Sequence, residues 1–213
     1  MMLPSRTFLT AALLSLVPLA VLVVADTRPD TRSDARVAST ASGRPALPAA
    51  GTYSLYELGS AWHDQQGRRL TLDSLRGRPR LLAMIYTHCT STCPLALAEM
   101  KRVEAATDPR LGLVLVSLDP DRDTPRVLAT YAASHGLDPS RWTLLAGSDA
   151  DVRELAASLG VRYRRLGPDE LAHSNTLTLL DPSGHVVHQQ QGLDEHDETI
   201  RAARALLSID DRP

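Results

Sequence analysis

Cys89 and Cys93 are the only thiols among the 213 residues, separated by Thr90-Ser91-Thr92 and followed directly by Pro94. A thiolate is both a nucleophile and a soft metal ligand, so such a pair serves redox exchange, metal binding or both. A structural bridge is the bland alternative, but a disulfide closing so short a loop removes little entropy from the unfolded chain. Three intervening residues, one more than in a thioredoxin, leave a loop wide enough for both sulfurs to converge on a metal. They still let the sulfurs reach each other when oxidised.

Two sulfurs do not complete a site, and the candidates for a third ligand are His63, His88, His135, His173, His185, His188 and His196. A single histidine is most often a surface residue. His173 stands out because it lies just ahead of a predicted strand over 176–180, in the loop that a thioredoxin-like fold brings against the cysteine loop. No proline occupies 171–176, which separates the chain from an ordinary thioredoxin. His88 adjoins Cys89, but neighbouring side chains at a strand end point apart, so it ranks as a weaker ligand candidate. His185, His188 and His196 fall on an outer hairpin and the loop after it and receive no role. Two thiolates and an imidazole form a soft, three-donor set suited to copper, Cu(I) in particular, whereas structural zinc takes a fourth ligand.

The elements that must position these residues follow from apolar pattern and punctuation. The run Leu81-Leu82-Ala83-Met84-Ile85 is apolar on both faces, as a central strand covered by helices should be, and it delivers the chain to Cys89. Pro94 suits a first helical turn, which predicts a helix to about Ala106 with Cys93 at its N-terminus. The partial positive charge there favours thiolate over thiol. A second buried strand spans 111–117. The loop Asp119, Asp121, Arg122 and Asp123 follows it beside the site, either orienting a partner, holding the loop by ion pairs or serving as a solvated turn with a helix cap. A helix from Thr124-Pro125, a short strand over 142–146 and a helix capped by Ser148 and stopped by Gly160 continue the pattern. A hairpin of 176–180 with 185–189 around Asp181-Pro182-Ser183-Gly184 and a last helix over 197–207 complete it. Ahead of these, 53–58 reads as a strand forming an N-terminal hairpin with 69–72 through the turn at Gln65-Gln66-Gly67. The order is that of an α/β, thioredoxin-like fold: a central mixed sheet flanked by helices, with an N-terminal hairpin and inserted elements.

Three segments are expected: 1–25, 26–50 and a single domain over 51–210. The first has Arg6 and then an apolar run from Phe8 to Ala25, with Val23 and Ala25 placed for signal-peptidase cleavage before Asp26. It reads as a signal peptide or, uncleaved, as an N-terminal membrane anchor close to the lower length limit for a span. No cysteine ends the run, so lipidation of a mature N-terminal Cys is excluded. Residues 26–50 are Thr, Arg, Asp, Ser, Ala and Pro with almost no large apolar side chain, which makes them a flexible linker. The expected location is therefore extracytoplasmic, the periplasm or the outer face of the cell membrane. Lys plus Arg number 23 against 25 Asp plus Glu, so no single-sign field recruits nucleic acid.

Taken together, Leu75-Arg76-Gly77, Tyr86-Thr87-His88-Cys89 with Cys93-Pro94, Val116 through Pro125, and His173-Ser174 ahead of Leu179 through Gly184 resemble the Sco/SenC family of copper chaperones, from about Gly51 to Leu207. The resemblance implies copper ligands at Cys89, Cys93 and His173 and a metallochaperone rather than a turnover enzyme. It implies a role in assembling the copper centre of cytochrome c oxidase, with that oxidase's copper-binding subunit as partner. Its rival is a thiol-disulfide oxidoreductase that uses the redox-active Cys89–Cys93 pair, with a thiol reductant protein as a further partner, to keep a recipient's copper-ligand cysteines reduced. Family members often carry Pro-Asp after the first cysteine, where this chain has Thr90-Ser91-Thr92.

Overall fold

The structure is a computed structural model that describes residues 53–89, 93–167, 170–192 and 196–209. The readings of 1–25 and 26–50, and the spacer Thr90-Ser91-Thr92, fall outside the described residues. Three strands make the centre: β3 (Arg80–Ile85), β4 (Gly112–Ser117) and β5 (Trp142–Gly147) run parallel in the order β3-β4-β5. Every residue of β3 and β4 is buried, the mark of a sheet covered on both faces. An antiparallel hairpin of β8 (Thr176–Leu180) and β9 (Val186–Gln191) joins at β3. A second hairpin, β1 (Ala61–Asp64) with β2 (Arg69–Thr71), joins at β5. The result is a seven-stranded mixed sheet, β2-β1-β5-β4-β3-β8-β9.

The N-terminal hairpin is present, but its first strand is Ala61–Asp64, not 53–58. Residues Leu55–Glu57 instead form a 3-10 turn because the Ser54 side chain accepts the Tyr56 amide, a local bond that competes with strand pairing. A separate two-stranded ribbon, β6 (Tyr163–Arg165) with β7 (Leu171–His173), was not anticipated.

Among the described residues four α-helices complete the fold: α1 (Cys93–Ala106), α2 (Pro125–Ser134), α3 (Asp149–Ser158) and α4 (His196–Ile209). α1 buries Ala96, Leu97, Met100 and Val103 at helical spacing and packs against α4 and β3, while α2 lies on β5 and β1. Thr124 caps α2 ahead of Pro125, and Ser148 and Asp151 form a reciprocal capping box on α3, as their residue types require. Gly160, at φ 66°, ends that helix in a conformation a side chain would strain. Among the described residues no helix is long and apolar enough to cross a membrane.

Candidate metal centre

The cysteine loop starts where β3 ends, and a buried carboxylate from the neighbouring connection fixes its course. Ile85 and Ser117 end β3 and β4 side by side, and Leu118 donates its amide to the Ile85 carbonyl at 2.7 Å. Asp123 Oδ2 accepts from the Thr87 amide at 3.0 Å and from Ser117 Oγ at 2.6 Å, and Oδ1 accepts from Thr87 Oγ1 at 2.5 Å. With Asp123 fully buried, these bonds are worth more than the same contacts in water. The Cys89 amide then donates to the Tyr86 carbonyl at 3.3 Å, which turns the Cys89 side chain back over the start of α1.

Neither cysteine is in a disulfide and both are buried, and the Cys93 amide points at Cys89 Sγ at 3.4 Å. Cys93 is 1% exposed and Cys89 9% exposed, so the pair meets solvent through Cys89. For Cys93 the expectation that a helix N-terminus favours thiolate is overturned: burial pushes its thiol well above the ordinary cysteine range. The backbone at Tyr86 opposes that shift without cancelling it.

The ribbon brings the third group. His173 lies at the end of β7 rather than in an open loop, and its Nε2 sits 3.3 Å from Cys93 Sγ. Its Nδ1 faces the Ser174 carbonyl at 3.2 Å. A carbonyl only accepts, so Nδ1 carries the proton in the neutral ring and Nε2 presents its lone pair to the sulfurs. The donor atoms of Cys89, Cys93 and His173 all lie within 4.8 Å of one another. Tyr86 closes the near side, its ring edge-on to His173 at 5.9 Å. Its hydroxyl reaches both Cys89 and the Leu171 backbone, and burial first, then the Cys89 contact, pushes it up to about 12.

Asp119 ties the ribbon to the sheet. Fully buried, it accepts from Arg165 Nη2 of β6 at 2.9 Å on one oxygen, and its other oxygen lies 3.4 Å from His88 Nε2 and 3.5 Å from Arg122 Nη1. His88 also takes the Arg122 guanidinium at 3.0 Å, so it belongs to this ionic cluster and does not join the sulfurs. Of the readings open for the 119–123 loop, ion pairing holds for Asp119 and Arg122, while Asp123 serves the cysteine loop. Sequence reasoning missed that buried role, although a Ser-x-Asp-x3-Asp run straight after a core strand is a signal for it. It named Tyr86 only within a motif, with no role, and missed Arg165 altogether. His185 pairs with Asp181 at 3.1 Å and His188 with Thr199 at 3.0 Å, both within the fold's own framework.

The family model for SCO1/SenC matches residues 56–208. The chain belongs to the SCO1/SenC family. The SCO1 protein homolog of Bacillus subtilis is 27% identical over 156 residues, which cover 70% of this chain and 81% of that relative. Among solved structures, Bradyrhizobium japonicum ScoI with copper bound superposes at a TM-score of 0.57 and 27% identity, covering 68% of this chain and 96% of that one. A structure of BsSco, described as having a disulfide switch and as a member of the Sco family of cytochrome c oxidase assembly proteins, reaches 0.61 at 26% identity, with 74% and 97% covered. The SCO1/SenC domain here thus has the thioredoxin-like architecture its element order implied.

Proposed function

We propose that this SCO1/SenC protein is a copper chaperone that carries copper on Cys89, Cys93 and His173 and delivers it to the copper-binding subunit of cytochrome c oxidase. The observation that carries the reading is the convergence of those three donor atoms, from two segments far apart in sequence, within 4.8 Å. Two sulfurs and an imidazole nitrogen, with no fourth His, Cys, Asp or Glu donor in the cluster among the described residues, suit Cu(I), which accepts low coordination and an incoming ligand from a recipient. The copper-bound ScoI relative supports the metal, and BsSco, named among oxidase assembly proteins, supports the destination. Delivery proceeds by ligand exchange. A recipient thiol adds to the copper and a donor of this chain leaves, with no change in the metal's oxidation state. On this reading residues 1–25 serve as a signal peptide or, uncleaved, as an anchor, 26–50 are the linker, and the domain works outside the cytoplasm.

Metal entry has a proton cost set by this chain. The lone pair of His173 Nε2 is what the Cys93 thiol faces in the metal-free protein and what copper takes, so the thiol proton leaves to solvent as copper binds.

The test is Cu(I) titration of the reduced full-length chain against a competing chelator. His173→Ala is expected to weaken copper binding by more than about a hundredfold, since even residues that only orient ligands are worth 10- to 100-fold. Unchanged affinity in that variant would sink the chaperone reading. It would leave the second one, thiol-disulfide exchange by the neighbouring reduced thiols, favoured by their placement and by the BsSco disulfide switch.

A further inference from the structure

The end of the sheet opposite the cysteines has a concentration of charge that the copper reading does not use. β3 begins at Arg80 and β4 at Gly112, paired with each other, so the residues just before them share one pole. Arg76, Arg110 and Arg141 at this pole each have a carboxylate, from Asp73, Asp108 and Glu104 respectively. Arg78 and Arg80 have none among the described residues. Arg78 Nη2 donates to the Ser140 carbonyl at 3.1 Å, and Arg80 Nε donates to the Leu75 carbonyl at 3.1 Å with its guanidinium beside the Tyr56 hydroxyl. Arg80 is only 7% exposed.

The two guanidinium groups are crowded together where Gly112 leaves room. A Cβ on that residue would stand 2.6 Å from Arg80 Nη1 and 3.0 Å from Arg78 Nε, so the absence of a side chain is what admits both arginines. Arginine keeps its proton in proteins, and a buried cation without an acid is costly. Burial, and next the charge of Arg78, hold Arg80 down to about 10, and burial followed by Arg141 lowers Arg78. The cluster is short of negative charge.

Beside it opens a cavity of about 620 Å³ lined by Gly77, Arg78, Pro79, Pro109, Arg110 and Pro182. Its three prolines offer no N–H, so recognition of a ligand there falls to the two guanidinium forks. The geometry points to a binding site for a phosphate group in this cavity, held by Arg78 and Arg110 from the wall with the charge of Arg80 behind them. A phosphate supplies the missing negative charge and enough acceptor oxygens to engage more than one planar fork at once.

Two sources present that chemistry: inorganic phosphate and phospholipid headgroups. The chain enters the domain at this same pole. Ser54 Oγ donates to the Ser183 carbonyl at 2.6 Å and the Leu55 amide to the Gly184 carbonyl at 2.9 Å, next to Pro182 of the cavity wall. If residues 1–25 are retained as an anchor, the domain is held at a membrane and meets phospholipid headgroups. The headgroup arm rests on the membrane reading above; the phosphate arm does not.

The experiment has both arms and a shared control. The full-length chain in neutral detergent is titrated calorimetrically with sodium phosphate against sodium chloride. In parallel it is reconstituted in nanodiscs of phosphatidylglycerol or phosphatidylcholine, with amide exchange read over 77–80 and 109–112. Saturable phosphate binding, weakened about tenfold or more in Arg78→Gln/Arg110→Gln, supports the site. Protection in phosphatidylglycerol that the same double variant loses also supports it and assigns the headgroup as source. Phosphate binding without lipid-dependent protection assigns the free ion. Neither saturable binding nor lipid-dependent protection overturns the proposal. Cu(I) affinity, read on the same samples and expected unchanged, keeps this outcome separate from failure of the copper reading and shows that the variant is folded. Both substituted side chains reach the surface, so neither change opens the core.

Discussion

The two halves of the proposed metal centre are held in place by different means. The cysteine half hangs from β3 and α1, in the middle of the sheet, with Asp123 clamping Thr87 and Ser117 from within the core. The histidine half is a ribbon of two three-residue strands outside the main sheet. Among its described contacts are buried Leu171, the Tyr86 hydroxyl and an ion pair from Arg165 to Asp119. The sulfurs therefore share the stability of the whole domain, and the imidazole depends on a few local contacts. A metal that bridges the halves adds the link that the protein itself supplies weakly.

If that contrast is right, substitutions in the two halves fail differently. The largest effect is His173→Ala, which removes the copper affinity yet leaves thermal unfolding of the metal-free protein within a few degrees of wild type, because a half-buried ribbon side chain carries little of the core. A large drop in melting temperature would show the ribbon to be structural after all. Asp123→Ala should show the reverse. It strands the Thr87 amide and two hydroxyls in the core and is expected to cost about 2–4 kcal/mol in a urea titration, whether or not copper is present. Loss of copper affinity with full stability would contradict the clamp. Arg165→Gln is milder still: under about 1 kcal/mol of stability, since that side chain is 44% exposed, but a faster copper off-rate in stopped-flow competition.

The pH dependence follows from the buried thiol. Cys93 is raised in the folded state, so folding favours its protonated form. That contribution is complete below the unfolded thiol value of about 8.5 and is lost as pH rises toward the folded value, so the reduced metal-free protein weakens in alkali. Copper competes with the same proton, and Cu(I) affinity should rise about tenfold per pH unit through neutrality for each proton released. A flat profile would mean that Cys93 is already a thiolate.

How much was legible in the sequence follows the same division. β3, β4, α1 and the caps at Thr124 and Ser148 could be read because long apolar runs and capping residues act locally. The ribbon could not, since Tyr-Arg-Arg and Leu-Ala-His are too short to show a period and are paired by tertiary context alone. His173, which the structure brings beside the cysteines, was still singled out through its place ahead of β8, although as a loop residue. The first strand was misplaced because Ser54 offers the backbone a competing local bond. The protonation preference of Cys93 was misjudged because burial depth, which opposes the helix terminus, is not written in the residues nearby.

His173 and Cys93 are 80 residues apart in the chain. A polypeptide threaded unfolded through an export channel brings two adjacent thiols through first and the imidazole long after them. For a chain exported unfolded, the proposed three-donor site exists only once folding at the destination has joined the two segments, and copper is expected to be taken on there.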